Sequence, residues 1–296
     1  LTQIVIKKLV GDWRVDNKNF VAIVHDRCGV NIKAMETLGS YFEAVEIGCE
    51  SHTLDFCCRK IVSAEILDNY VQFFTGLISH SHKAKEYIKA ELGVSPPSVC
   101  PTRCTYLGAL GAALIKAKDT GALTRAFVTC LAAYHKPPAR GDTRVPPLSH
   151  LKVEAHAVIE FTKNIAEATY LLEGDGLVSL FTYDIIMGVA TDINLCFPNI
   201  EYVGLLQAIA EVSGGDPVLT EYFQRLARAV LTPAKDYFFN KVITELVPQL
   251  KIFHGAALAN PMLMHRVMPT IGATRDILIS ITKLASSSLL DAPQIE

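Results

Sequence analysis

The sequence predicts an α/β segment with short parallel strands, followed by a mainly α region, the change falling near residue 60. Three observations predict this. Apolar, β-branched runs of strand length flank one short helical pattern between residues 20 and 49. Beyond His52 the apolar spacing becomes three to four residues and stays so. Breaks rich in Pro and Gly cut that second part into pieces of helix length. The expected division is 1–60 as an α/β core and 61–296 as a helical region, with an exposed loop at 136–148.

The elements follow in order. Phe20-Val21-Ala22-Ile23-Val24-His25-Asp26 is apolar up to its polar end and lacks a helical period, as a buried strand does. Ile32, Met35 and Leu38 recur every three residues and predict a short helix over 31–38. Ala44-Val45-Glu46-Ile47-Gly48-Cys49 reads as a second strand. Strand, helix, strand implies a right-handed crossover between parallel neighbours. From Thr53 to Ser79, residues such as Leu54, Cys58, Ile61, Ile66, Leu67, Val71 and Phe74 predict helices. Gly93 to Pro101 is a loop, and helices resume from about Tyr106 to Tyr134. Two Pro-Pro pairs flank Arg140-Gly141-Asp142, whose resemblance to an integrin ligand is a chance tripeptide. Ser149 is a candidate cap for a helix reaching Glu173. Gly174-Asp175-Gly176, Pro198-Asn199 and Gly214-Gly215-Asp216-Pro217 mark later breaks. Pro233 and Pro248 are expected at or near the starts of later helices.

Half of the 296 residues are hydrophobic and a fifth are charged, which excludes disordered, collagen-like and low-complexity classes. No apolar run reaches the ~18–20 residues of a membrane span, and no signal-peptide pattern opens the chain. The first residue is Leu1 rather than Met, so the sequence reads as a piece of something longer. Eight cysteines, the adjacent Cys57 and Cys58 among them, read as mostly free, buried thiols of a reducing compartment. The expectation is an intracellular protein, nuclear in a eukaryote. Charge is unevenly spread. Residues 80–144 hold 10 Lys/Arg against 4 Asp/Glu, and 145–296 hold 10 against 16. The basic stretch, with Lys83, Lys85, Lys89, Arg103, Lys116, Lys118 and Arg125, has the composition that follows a phosphate backbone. A solvated Lys-rich surface has the same composition.

Three local features bear on chemistry. Asp26 ends an apolar strand, where α/β folds place their sites. It suits a divalent metal such as Mg²⁺, and equally a cap for the next helix. Cys49 and His52 have the spacing of half a zinc site, which Cys100 and Cys104 would have to complete. A buried thiol and a helix-start histidine account for the same spacing. Pro101-Thr102-Arg103-Cys104 opens a helix with an arginine. His80 and His82, two apart, face different ways on a helix. No phosphate-binding glycine loop and no nucleophile elbow occur in the sequence, so an organic or nucleotide cofactor is not expected.

In their order and spacing, these features resemble the catalytic region of hAT-superfamily DNA transposases and their domesticated relatives. Asp26 and Asn31 match the family's Asp-x-x-x-x-Asn, Cys49, His52 and Leu54 its Cys-x-x-His-x-Leu, and Thr102 and Arg103 its Thr-Arg-Trp, with Cys104 in place of the Trp. Leu172-Glu173-Gly174-Asp175-Gly176, Phe197-Pro198-Asn199 and Ala256-Ala257-Leu258 followed by Pro261 resemble the helical segment of a transposon-borne branch. The resemblance covers roughly 20–285.

The resemblance implies a partial RNase H-like core, the short parallel βαβ, followed by a large all-helical insertion. It implies Asp26 as the second of three metal-holding acids and Mg²⁺ or Mn²⁺ as the cofactor. DNA is the implied partner, with self-association through segments outside this chain. Asn31, Cys49, His52, Thr102 and Arg103 then become organising residues. The family's first Asp is expected upstream of Leu1, since Asp12 and Asp16 sit in a polar turn, and its final Glu beyond the helical region. The fragment alone is therefore expected to lack nuclease activity. A decayed or domesticated copy serving as a protein scaffold, without catalysis, is the competing expectation. An unrelated α/β plus helical protein binding a small ligand near Asp26 is a third.

Overall fold

The structure is a computed structural model, described for residues 2–14, 22–26, 29–42, 44–61, 64–69, 71, 76, 81–93, 122, 125–126, 128–129, 147–173, 179–245 and 247–258. It is mostly helical, and among the described residues two strands form one parallel sheet. The chain divides into two compact units. The first comprises Leu1–Leu54, Ala168–Val189 and Phe238–Glu296, the second Asp55–Glu167 and Ala190–Tyr237.

In the first unit, helix α1 (Thr2–Ile6) widens into π turns over Lys7–Asp12. Asp12 closes that helical stretch and pairs with Lys8 one turn back, so it does not lie in the polar turn expected for it. Strand β1 (Ala22–His25), helix α2 (Gly29–Phe42) and strand β2 (Val45–Gly48) then form the parallel βαβ unit. The register pairs Ala22 with Val45, Ile23 with Glu46, Val24 with Ile47 and His25 with Gly48. Helix α2 is longer at both ends than its three-residue spacing indicated. Ala34, Leu38 and Phe42, four apart, are its buried row. Gly39 lets the approach to β2 pass close, because a Cβ there would lie 2.8 Å from Glu46 Oε1 and 3.3 Å from the Ala44 carbonyl. Strand β1 is less buried than its apolar run suggests. Val24 is 67% exposed, whereas its register partner Ile47 is 5% exposed. Whatever covers β2 on that face does not extend over β1, so the side chains of one face divide between core and solvent.

Helix α3 (Glu50–Cys58) follows β2 directly. Helix α4 (His82–Leu92) buries Ala84, Ile88 and Leu92. Ser81 caps its start by accepting from the Ala84 N–H at 3.2 Å, and Gly93, at φ 71°, ends it in the left-handed conformation that glycine allows. Helix α5 spans Leu148–Leu172. It begins one residue before Ser149, whose hydroxyl is therefore inside the first turn and is not its cap. The expected loop at 136–148 lies outside the described residues up to 146, and residue 148 is already helical.

Helices α6 (Ser179–Cys196) and α7 (Val203–Ser213) are separated by the turn predicted at Pro198-Asn199. Gly214 and Gly215, at φ 58° and 83°, break the chain after α7. Asp216 then accepts from the Val218 and Leu219 N–H groups at 2.7 and 3.3 Å. With Pro217 as the first helical residue, this is a favoured helix start. Helix α8 (Pro217–Tyr237) contains Pro233 in its interior, which corrects the expectation that this proline opens a helix. Phe223, Ala227, Val230, Leu231 and Ala234 are buried along one face on both sides of it. That continuous burial outweighs the ~3 kcal/mol a mid-helix proline costs. The helix widens into π turns over Phe238–Glu245 and is followed by α9 (Val247–Leu258), where Pro248 takes the predicted place in the first turn. No described helix is long and apolar enough to cross a membrane.

Candidate functional site

Parallel strands bring their carboxyl ends to one edge, and β1 and β2 bring Asp26 and Cys49 there. The Cys49 N–H donates to the His25 carbonyl at 2.7 Å, so the residue leaving β2 is tied to the last residue of β1. Asp26 comes next, half-buried. Asn31, in the first turn of α2, reaches back with its side-chain amide and donates from Nδ2 to Asp26 Oδ1 at 2.5 Å. The Asp-x-x-x-x-Asn spacing is thus one local unit: strand end, turn and helix start, closed by a bond between its two named residues. The His25 Nδ1–H donates to the Asp26 carbonyl at 2.6 Å, which fixes the proton on Nδ1 when the ring is neutral.

Cys49 immediately precedes α3. Its carbonyl accepts from both the N–H and the hydroxyl of Thr53, at 3.2 and 3.1 Å. Its free thiol lies 3.1 Å from Ser51 Oγ. Within the Cys-x-x-His-x-Leu segment, Cys49 therefore opens the helix, exposed His52 stands on its first turn, and Leu54 is fully buried. Thr102, Arg103, Cys100 and Cys104, which the sequence reading set beside this segment, lie outside the described residues.

A buried polar run was not singled out from the sequence. Glu50, Ser51 and Thr53 are each about 95% or more buried at the start of α3. Their signal in the sequence was a polar stretch at a strand end, where backbone groups not yet paired by the helix call for polar neighbours. Cys57 and Cys58 are buried, as expected, and the Cys57 thiol donates to the Ala234 carbonyl at 3.1 Å. Among the described residues, no group of three His, Cys, Asp or Glu side chains is arranged to hold a metal ion.

The described members of the basic stretch, Lys83, Lys85, Lys89 and Arg125, fall in the second unit. Lys83, Lys85 and Lys89 are exposed on α4. Lys85 and Lys89 stand one turn apart on one face, and Lys83 lies further round the helix. Arg125 forms an ion pair with Glu91 at 2.6 Å. Arg103, Lys116 and Lys118 lie outside the described residues.

No family model matches the chain, and no curated protein or solved structure matches it.

Proposed function

We propose that the chain is the central part of a transposase-like protein of the hAT type. In this reading it acts on DNA within a longer chain, through a divalent metal held in part by Asp26. The observation that carries the reading is the bond between Asn31 and Asp26 at the carboxyl edge of a parallel βαβ unit. Two residues matched to the family motif from sequence alone are direct partners at the place where α/β folds carry out chemistry. The position of Cys49, tied to the end of β1, agrees with this.

The donor chemistry at Asp26 fits a share in such a site. Mg²⁺ and Mn²⁺ take carboxylate oxygens, and Mg²⁺ keeps several waters beside one or two protein ligands. Asp26 would supply one carboxylate oriented by Asn31, and further acids would complete the set. Bound there, such an ion supplies a polarised water or 3′-hydroxyl and stabilises a leaving phosphodiester oxygen.

The test is the reading frame on either side of the chain. A strand bearing an Asp upstream and a helix bearing a Glu downstream support the enzyme. A frame with neither moves the balance to a domesticated or decayed scaffold. That second reading has its own support in the acidic 145–296 half and in its exposed Leu195, Val203, Val218 and Tyr222, side chains suited to protein contacts.

A further inference from the structure

Asp26 is held at three points. The peptide before it is tied to the end of β2, because the His25 carbonyl accepts from the Cys49 N–H at 2.7 Å. Its carboxylate is tied to α2, because Oδ1 accepts from Asn31 Nδ2 at 2.5 Å. The peptide after it is tied by the side chain of the preceding residue, His25 Nδ1 lying 2.6 Å from the Asp26 carbonyl oxygen. A carbonyl oxygen only accepts, so Nδ1 carries the proton. Strand pairing accounts for the first tie and the Asp-x-x-x-x-Asn spacing for the second. Neither accounts for the third.

That third tie acts on a soft rotation. Each residue has two free backbone angles, and the ψ of Asp26 sets the direction in which the chain leaves β1. It therefore sets where Asn31 arrives, five residues later, in the first turn of α2. The same rotation swings the Asp26 carbonyl. Holding that oxygen fixes the exit angle, and with it the reach of Asn31 to Oδ1. His25 and Asp26 are both half-buried, so water replaces the imidazole bond only in part.

We propose that His25 is a positioning residue, whose Nδ1–H holds the peptide after Asp26 so that Asn31 meets the carboxylate and fixes the way it faces. The purpose of this device rests on the reading of Asp26 as a metal-holding residue, and its geometry does not. A carboxylate already oriented need not be ordered when a divalent cation arrives. His25 itself touches neither metal nor DNA in this role. Asparagine is the conservative substitute, because its Nδ2 stands as many bonds from the backbone as histidine Nδ1. Phenylalanine keeps a ring and lacks the donor.

Nitrogen-15 NMR of the protein with labelled histidine, in alkaline buffer where imidazole is neutral, tests the bond. The ring resonances absent from His25→Phe should show a protonated Nδ1 and a bare Nε2. The Asn31 side-chain amide, assigned by its absence from Asn31→Ala, reports whether the carboxylate is met. It should move to the position of a solvent-exposed asparagine in His25→Phe and stay close to the parent position in His25→Asn. Mn²⁺ affinity of the longest reading frame that contains this chain should fall about tenfold in His25→Phe, the lower end for groups that orient a metal ligand. In His25→Asn it should stay close to that of the parent, with the circular dichroism of the parent in both variants. A proton on Nε2 in the parent, an Asn31 amide unmoved in His25→Phe, or an asparagine variant no better than the phenylalanine one would overturn the proposal. So would Mn²⁺ affinity that Asp26→Ala weakens and His25→Phe does not. If Asp26→Ala leaves Mn²⁺ affinity unchanged, the metal reading falls instead, and the two NMR measurements, which need no metal, still decide whether His25 sets the turn.

Discussion

The side-chain amide of Asn31 donates to Oδ1 of Asp26 at 2.5 Å, across the turn from β1 into α2. This contact converts a spacing of five residues into a fixed carboxylate. Hydrogen bonds to charged groups are worth about 1.5–3 kcal/mol when well enclosed. Asp26 and Asn31 are half-buried, so Asn31→Ala should lower stability by about 1.5 kcal/mol, the smaller end of that range. Asn31→Asp should cost more, because it sets a second carboxylate against the first. Urea denaturation of the three proteins measures both, and a neutral Asn31→Asp would contradict the contact.

Glu154 supplies a pH dependence. It is buried on α5 and accepts from the Leu67 N–H at 2.8 Å. Desolvation, with a smaller push from Glu65, raises its pKa to about 7 against the opposing pull of the Leu67 and Ile66 N–H groups. A carboxyl whose folded pKa exceeds its unfolded value holds its proton more tightly when folded. Its contribution to stability is therefore full below pH 4.5 and falls as pH rises to about 7. The loss is on the order of 3 kcal/mol at most. Glu154→Gln keeps an acceptor for Leu67 and removes the titration. The parent should lose more stability than the variant between pH 5 and pH 8, and equal losses would refute the shift. Taking the difference between the two proteins cancels His156, whose lowered pKa makes the folded state less stable as pH falls.

Gly204 and Glu160 should be coupled. Glycine to alanine inside a helix ordinarily stabilises by about 0.5–1 kcal/mol. At Gly204 the new methyl group displaces the Glu160 carboxylate from the first turn of α7, where a negative charge is favoured. Gly204→Ala alone should therefore be close to neutral. In a Glu160→Ala background the same change should stabilise by about 0.5–1 kcal/mol. Additive effects in the four-protein cycle would contradict the placement of Glu160.

DNA contact, if it runs through the basic stretch, should be weak and salt-dependent, with a Kd on the order of 10⁻⁴–10⁻⁶ M at physiological salt. Lys83, Lys85 and Lys89 changed together to Glu should abolish it. Arg125→Ala should matter less, because that guanidinium already pairs with Glu91. Fluorescence anisotropy over a salt series checks both. Unchanged binding by the triple variant would leave the scaffold reading in front.

Periodicity made the βαβ unit legible, because Ile23, Val24 and Ile47 belong to strand-length apolar runs and Leu38 to a helical spacing. The turn at Gly214-Gly215-Asp216-Pro217 was equally readable, since each residue type there has one local task. Pro233 misled because a local preference was overridden by a buried face running from Phe223 to Ala234. Ser149 misled because its side chain type fits a cap, while the helix starts one residue earlier. Of the candidate site, Asp26, Asn31 and Cys49 were visible as a spacing, and the bond joining the first two was not.

The most direct measurement is Mn²⁺ affinity, by electron paramagnetic resonance, of the longest reading frame that contains this chain, compared with its Asp26→Ala variant. The account predicts that removing the Asp26 carboxylate weakens Mn²⁺ binding at least tenfold while circular dichroism stays that of the parent. Unchanged affinity in the folded variant would contradict Asp26 as a metal-holding residue, and with it the transposase-like reading.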